Sequence, residues 1–177
     1  MEKDINAKLM NGFAKILDKK HSVTLLCEKS GVSRASFYLY YKDFEEFKKE
    51  ISIYLTQKYF SQIGEFMFCD EEDLPTLLKN ENLFFDETQR KLLAYFAEGK
   101  NYLSFSYNAY ENALPEFMCF CKEKLGEEFY RENEYRIKYC INGIATLAFF
   151  NIVDYDEDKF IFEMTQSRKT IKKVLGR

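Results

Sequence analysis

Only 2 prolines and 7 glycines interrupt this chain of 177 residues, and runs of β-branched residues are scarce. A sheet needs a tight turn at the end of each strand, and such turns are built chiefly from those two residue types. Apolar residues recur instead at the spacing of one helical face, so the expected fold class is all-α. Hydrophobic residues make up 46% of the chain and charged ones 31%, a balance that supports a packed core rather than a disordered polymer. The longest uncharged apolar run, Tyr139 to Val153, is shorter than a membrane span and carries Asn142 and Asn151. It reads as a buried helix. Lys3, Asp4, Lys8, Lys15 and Asp18 break up any apolar leader, so a cytoplasmic chain is expected, with no membrane partner. Cys27, Cys69, Cys119, Cys121 and Cys140 have no C-x-x-C spacing and read as free thiols. His21 is the only histidine, and Cys119 and Cys121 point to different faces of one helix. No metal or cofactor site is expected.

Asp4 is placed to cap a first helix in which Ile5, Leu9, Phe13, Ile16 and Leu17 form one apolar face, ending near Lys19 and Lys20. A short second helix begins at Ser22, with Val23, Leu26 and Cys27 inward, and Gly31 stands where a left-handed stop belongs. Ser33 caps a third helix predicted over 33–41, and Val32 just before it can pack on Phe37 as a hydrophobic staple. Two short helices meeting at a glycine turn make the helix-turn-helix pattern. Asp43 caps a long fourth helix carrying Phe44, Phe47, Ile51, Tyr54, Leu55, Tyr59 and Ile63. Beyond the acidic connector at 70–75, helices are predicted near 76–81, 87–98 with Asp86 as cap and Gly99 as stop, 101–110, 115–131, 133–153 and 157–175.

The net charge of −3 is unevenly spread. Residues 1–58 hold 11 Lys+Arg against 8 Asp+Glu, and residues 59–177 hold 15 against 21. The front of the chain is therefore the better candidate for an anionic partner. Within "GVSRASFYLYYKDFEEF", Phe37 and Tyr41 lie one helical turn apart and belong to the packed side, leaving Arg34, Ser36, Tyr38 and Tyr40 to point outward. Arg34 is the only arginine among the first 58 residues, and its planar fork can engage guanine O6 and N7 together.

The stretch "SVTLLCEKSGVSRASFYLYYKDFEEF" resembles the DNA-binding signature of the tetracycline-repressor (TetR) family of bacterial transcriptional regulators. Ser22-Val23, Leu26, Gly31 to Arg34, Ser36 to Tyr38, Tyr40-Tyr41, Asp43, Glu45 and Phe47 fall on matching positions, and the likeness covers about residues 5–55. The resemblance implies that Ser22 and Thr24 touch phosphates, that Arg34 and Ser36 face bases, and that Tyr38 and Tyr40 clamp the backbone. Ser33 and Lys42 complete the implied DNA-facing set. One position departs from the pattern: Phe44 stands where the family usually has a phosphate-binding lysine, and Lys42 is the nearest cation to replace it.

The expected organisation is an N-terminal three-helix, helix-turn-helix DNA-binding domain at 1–45. A larger helical-bundle domain for dimerisation and ligand binding follows at 46–177. The middle of that larger part is rich in aromatics, and Tyr95, Tyr102, Phe105, Phe117, Tyr139 and Asn142 are candidates to line a pocket for a small hydrophobic effector. Helices near 133–153 and 157–175 are the expected homodimer interface. A palindromic double-stranded operator read by two such heads, with the chain acting as a repressor, is the leading expectation. The alternative is a helical sensor or protein-interaction module that kept this fold with weak or no specific DNA binding. An enzyme is not expected, since the sequence has no nucleophile motif and no Gly-rich phosphate loop.

Overall fold

The computed structural model describes residues 2–78, 86–98, 111, 114–153 and 156–176. Its described residues form an all-α, multi-helix fold without strands, and none of these helices is long and apolar enough to cross a membrane. The helices are α1 (Glu2–Ala14), α2 (Val23–Ser30), α3 (Arg34–Tyr38), α4 (Phe44–Phe68), α5 (Leu74–Leu78), α6 (Glu87–Ala97), α7 (Leu114–Leu125), α8 (Glu127–Val153) and α9 (Glu157–Leu175). The helix predicted at 101–110 and the stop at Gly99 lie outside the described residues. Two compact units result, Met1–Thr56 with Phe85–Asn108 and Gln57–Phe84 with Ala109–Arg177. α4 contributes a half to each unit, and α6 belongs with α1.

In the first unit, α1 packs on α2 and α6, and α2 packs on α3. Leu9, Phe13 and Ile16 meet Leu26, Phe37, Phe47, Leu92 and Leu93 in a fully enclosed core. Phe13 is its hub, with ring centroids 5.4 Å from His21 and Tyr95, 5.5 Å from Phe44 and 5.7 Å from Phe47, all edge-on. Edge-to-face ring pairs add roughly 0.5–1.5 kcal/mol each beyond the area they bury. The α1–α2 crossing is tight at Gly12, where a β-carbon would lie 2.6 Å from Ser30 Cβ and 2.9 Å from Ser30 Cα and N. No side chain fits there.

The caps are local and fall where expected. Ser22 Oγ accepts from Leu25 N at 3.2 Å, Ser33 Oγ from Ser36 N at 3.0 Å, and Asp43 Oδ1 from Glu46 N at 2.9 Å. Asp86 Oδ1 accepts from Gln89 N at 2.9 Å. Gly31 ends α2 with φ +70°, a left-handed conformation in which a β-carbon would be strained, and its N–H closes on Cys27 O at 3.0 Å. Val32 and Phe37, the two halves of the expected staple, are both buried.

Several boundaries move. The first helix starts at Glu2 rather than after Asp4, whose carboxylate instead pairs with Lys8 at 2.9 Å, and it ends at Ala14 in successive turns rather than running to Lys19. The third helix stops at Tyr38, three residues short of the predicted Tyr41, and the chain leaves it through a turn in which Tyr40 N donates to Phe37 O, three residues back, at 3.0 Å. The predicted 76–81 helix is α5, starting at Leu74. The predicted 115–131 helix is cut at Gly126, whose φ of +87° ends α7, so that α8 begins at Glu127 instead of 133.

In the second unit, Ile63, Phe66 and Met67 of α4 share a core with Phe117 and Cys121 of α7, Ile137 of α8 and Met164 of α9. Arg168 of α9 is only 2% exposed. Its guanidinium donates to Phe66 O, Cys69 O and Cys69 Sγ, each at 2.7 Å, and to Glu71 Oε1 at 3.1 Å. Carbonyls at the end of a helix lack intrahelical donors, and a cation suits the negative end of the macrodipole. Arg168 therefore caps α4 from about 100 residues away in sequence, and α9 is fastened to α4 at that point.

Candidate nucleic-acid interface

The residues singled out in the first unit gather around the α2–Gly31–α3 turn. Ser22 and Thr24 are exposed at the start of α2, and Ser33 and Arg34 are exposed at the start of α3. Ser36 is half-buried, and its hydroxyl shares a 2.8 Å hydrogen bond with that of Ser33, so it is engaged in the cap. Tyr38 is 49% exposed, its ring edge-on to the buried Phe37 at 5.4 Å. Tyr40 is half-buried in the turn after α3, and Lys42 is exposed. The backbone N–H of Lys42 donates to the Glu46 carboxylate. Burial pushes the Cys27 thiol up, and the positive charge of Arg34 acts the other way on it.

Phe37, Tyr41, Phe44 and Phe47 are the inward set, all buried. Tyr41 is held further by its hydroxyl, which donates to Asn6 Oδ1 at 2.8 Å. Phe44 lies 5.2 Å from His21 in a stacked pair and edge-on to Phe13. The position without the family's lysine is thus part of the core.

From Lys29 to Lys42 the chain carries three cations and no acidic residue, in a protein of net charge −3. Lys29 pairs with Glu28 at 2.7 Å; Arg34 meets no carboxylate among the described residues. Sequence reading passed over Leu39, which follows α3 with helical backbone (φ −72°, ψ −24°) and is 80% exposed. Ala35, also exposed, precedes it by one turn, so Ala35, Tyr38 and Leu39 share one outward face. An apolar residue at helical spacing reads as buried, so only the folded chain distinguishes Leu39 from a core leucine.

The described members of the expected effector pocket fall in both units. Tyr95 belongs to the first unit, 5.7 Å from His21 and 5.4 Å from Phe96. Phe117 is buried in the second, whereas Tyr139 and Asn142 are exposed on α8. Tyr102 and Phe105 lie outside the described residues. An open groove of about 520 Å³ instead lies between α4, α5 and α7, lined by Phe68 and Phe120 with Glu65, Asp73 and Lys124 around them. No family model, curated protein or solved structure matches the chain.

Proposed function

We propose that the chain is a sequence-specific DNA-binding transcriptional regulator of the TetR type, a homodimer that reads a palindromic operator as a repressor. The observation that carries this reading is the capped pair α2 and α3. Its glycine turn leaves Arg34 exposed with no carboxylate partner among the described residues, while Phe37 and Tyr41 anchor it inward. A two-helix unit of this kind lays its second helix in the major groove with side chains near its start on base edges. Ser22, Thr24, Tyr38, Tyr40 and Lys42 then meet phosphates, which fix position, and Arg34 reads a base, which fixes sequence.

The reading supplies the rest in outline. Tyr135 and Tyr139 stand 87% and 80% exposed one turn apart on α8, which packs on α9. An aromatic face of that kind suits a second copy of the chain. A small hydrophobic effector would enter the groove at Phe68 and Phe120 and favour one of two conformations by binding it more tightly.

Selection of duplexes from a random pool by the purified chain tests the proposal. A palindromic consensus is the expected result; no enrichment at low salt would refute it. Arg34→Ala should then relax selection at one base pair per half-site, a loss on the order of 1–3 kcal/mol for a bidentate contact. Phe44 favours the second reading, a helical sensor or interaction module, because its burial removes one phosphate-binding position from the surface. Weak, sequence-blind binding with a shallow salt slope would support that module instead.

A further inference from the structure

A small apolar cavity within the second unit brings sulfur-bearing side chains from separate helices to one place. It measures about 20 Å³, and its walls include Met67 of α4, Cys121 of α7 and Cys140 of α8, closed in by Phe117, Ile137 and Leu175. That is room for about one atom the size of a water molecule. None of the residues lining it carries a side-chain nitrogen or oxygen, so a water placed there would lack the polar partners it needs. Met67 and Cys121 are buried, whereas Cys140 is half-buried and gives the cavity an edge toward solvent. Among the described residues no group of three or more His, Cys, Asp or Glu is placed to hold a metal ion, which leaves two thiols and a thioether as the donor set.

Burial pushes the Cys121 thiol up to about 12, and it pushes the Cys140 thiol up as well. Thiols kept protonated are slow nucleophiles, because the thiolate is the attacking form. A soft cation acts differently: it binds sulfur by displacing the proton, and thiolate and thioether ligands together suit copper(I). Zinc fits poorly, since a closed zinc site takes four ligands, and calcium or magnesium would find no oxygen. We infer that Met67, Cys121 and Cys140 form a copper(I) site, with Cys140 at its entrance. Copper enters as the monovalent ion and its oxidation state does not change. Each of the two thiols forms a copper–sulfur bond and releases one proton to solvent, so the bound complex carries one negative charge, and the thioether binds without losing a proton. The site lies in the second unit and does not depend on the DNA-binding reading.

The test titrates the full, reduced chain with copper(I) held in a bicinchoninate buffer. One ion per chain should be drawn from the chelator, X-ray absorption should find only sulfur around it, and the thermal midpoint should rise because ligation stabilises the folded state. Cys121→Ala and Cys140→Ser should each weaken binding at least about 100-fold, since loss of a group that merely orients a ligand already costs about 10–100-fold. Met67→Leu, which keeps the volume of the core, should weaken binding less and remove one sulfur from around the ion. Cys119→Ser takes away the exposed thiol two residues from Cys121 and should change nothing. Circular dichroism of each copper-free variant shows that it is folded, and Met67→Leu keeps the test decisive if Cys121→Ala is not. Failure to draw copper from the chelator overturns the inference. So does copper held as tightly by Cys140→Ser or Met67→Leu as by the parent chain, or lost with Cys119→Ser. A Cys121–Cys140 disulfide formed under oxidised glutathione, in a chain that binds no copper when reduced, puts a bridge in place of the ion and overturns it as well.

Discussion

His21 shows how one side chain can be well packed and poorly satisfied. Its ring stacks on Phe44 at 5.2 Å and meets Phe13 and Tyr95 edge-on, yet its Nε2 is buried with no hydrogen-bond partner among the described residues. A buried polar atom left unpaired costs about 1–3 kcal/mol, and an apolar ring of similar size removes that cost. His21→Phe should therefore stabilise the fold by about 1 kcal/mol, measured by urea unfolding; a lower midpoint would mean that the imidazole is satisfied after all. Gly12 behaves in the opposite way. Glycine to alanine inside a helix ordinarily gains up to about 1 kcal/mol, but here the added carbon meets Ser30 at 2.6 Å. Gly12→Ala should instead cost about 1–3 kcal/mol in the same measurement, as overpacking does. Neither result could be foreseen from composition. Caps such as Ser22, Ser33 and Asp43 were legible because their partners lie three residues away. The surroundings of His21, Gly12 and Phe44 were not, because they depend on helices meeting in space.

At the scale of elements, the sequence marked most helices and misplaced several ends. Gly31 announced its turn because it follows a short apolar repeat and precedes a capping serine, whereas Gly126 sits between segments that each continue the helical pattern. Only its φ of +87° divides α7 from α8. The fastening of α9 to α4 was invisible for a different reason: Arg168 binds backbone carbonyls, and a carbonyl leaves no trace in a sequence. That fastening also has a pH signature. Glu71 accepts from Lys172 and pairs with Arg168, and these cations hold its carboxyl below the usual carboxylate range, the Lys172 hydrogen bond contributing most. A carboxyl depressed in the folded state contributes stability that is complete above its unfolded pKa and disappears as pH falls through the folded one. Glu71→Gln should therefore lower stability at neutral pH, leave it nearly unchanged at low pH where the carboxyl is already protonated, and so flatten the acid side of the profile. An acid limb identical to that of the parent protein would show that the tie does not contribute.

For the whole molecule, the decisive quantity is association. Tyr135 and Tyr139 give α8 an exposed aromatic face, and Phe162 is exposed on α9. Charging that face should separate copies: the double substitution Tyr135→Glu, Tyr139→Glu is expected to sediment as a monomer at micromolar concentration where the parent chain sediments as a dimer. A parent chain that is already monomeric there would remove the dimer from the proposal. DNA affinity should fall with dimerisation, since two half-sites are no longer joined. Positions within the first unit will also differ in how freely they change over generations. An outward position such as Leu39 can drift without endangering the fold. Gly12 has no such latitude: every missense change there adds a β-carbon, and a compensating Ser30→Gly would still leave backbone atoms 2.9 Å away. The crossing of α1 and α2 is thus closed to stepwise substitution, and lineages of this chain should vary in what the head contacts long before they vary in how it is assembled.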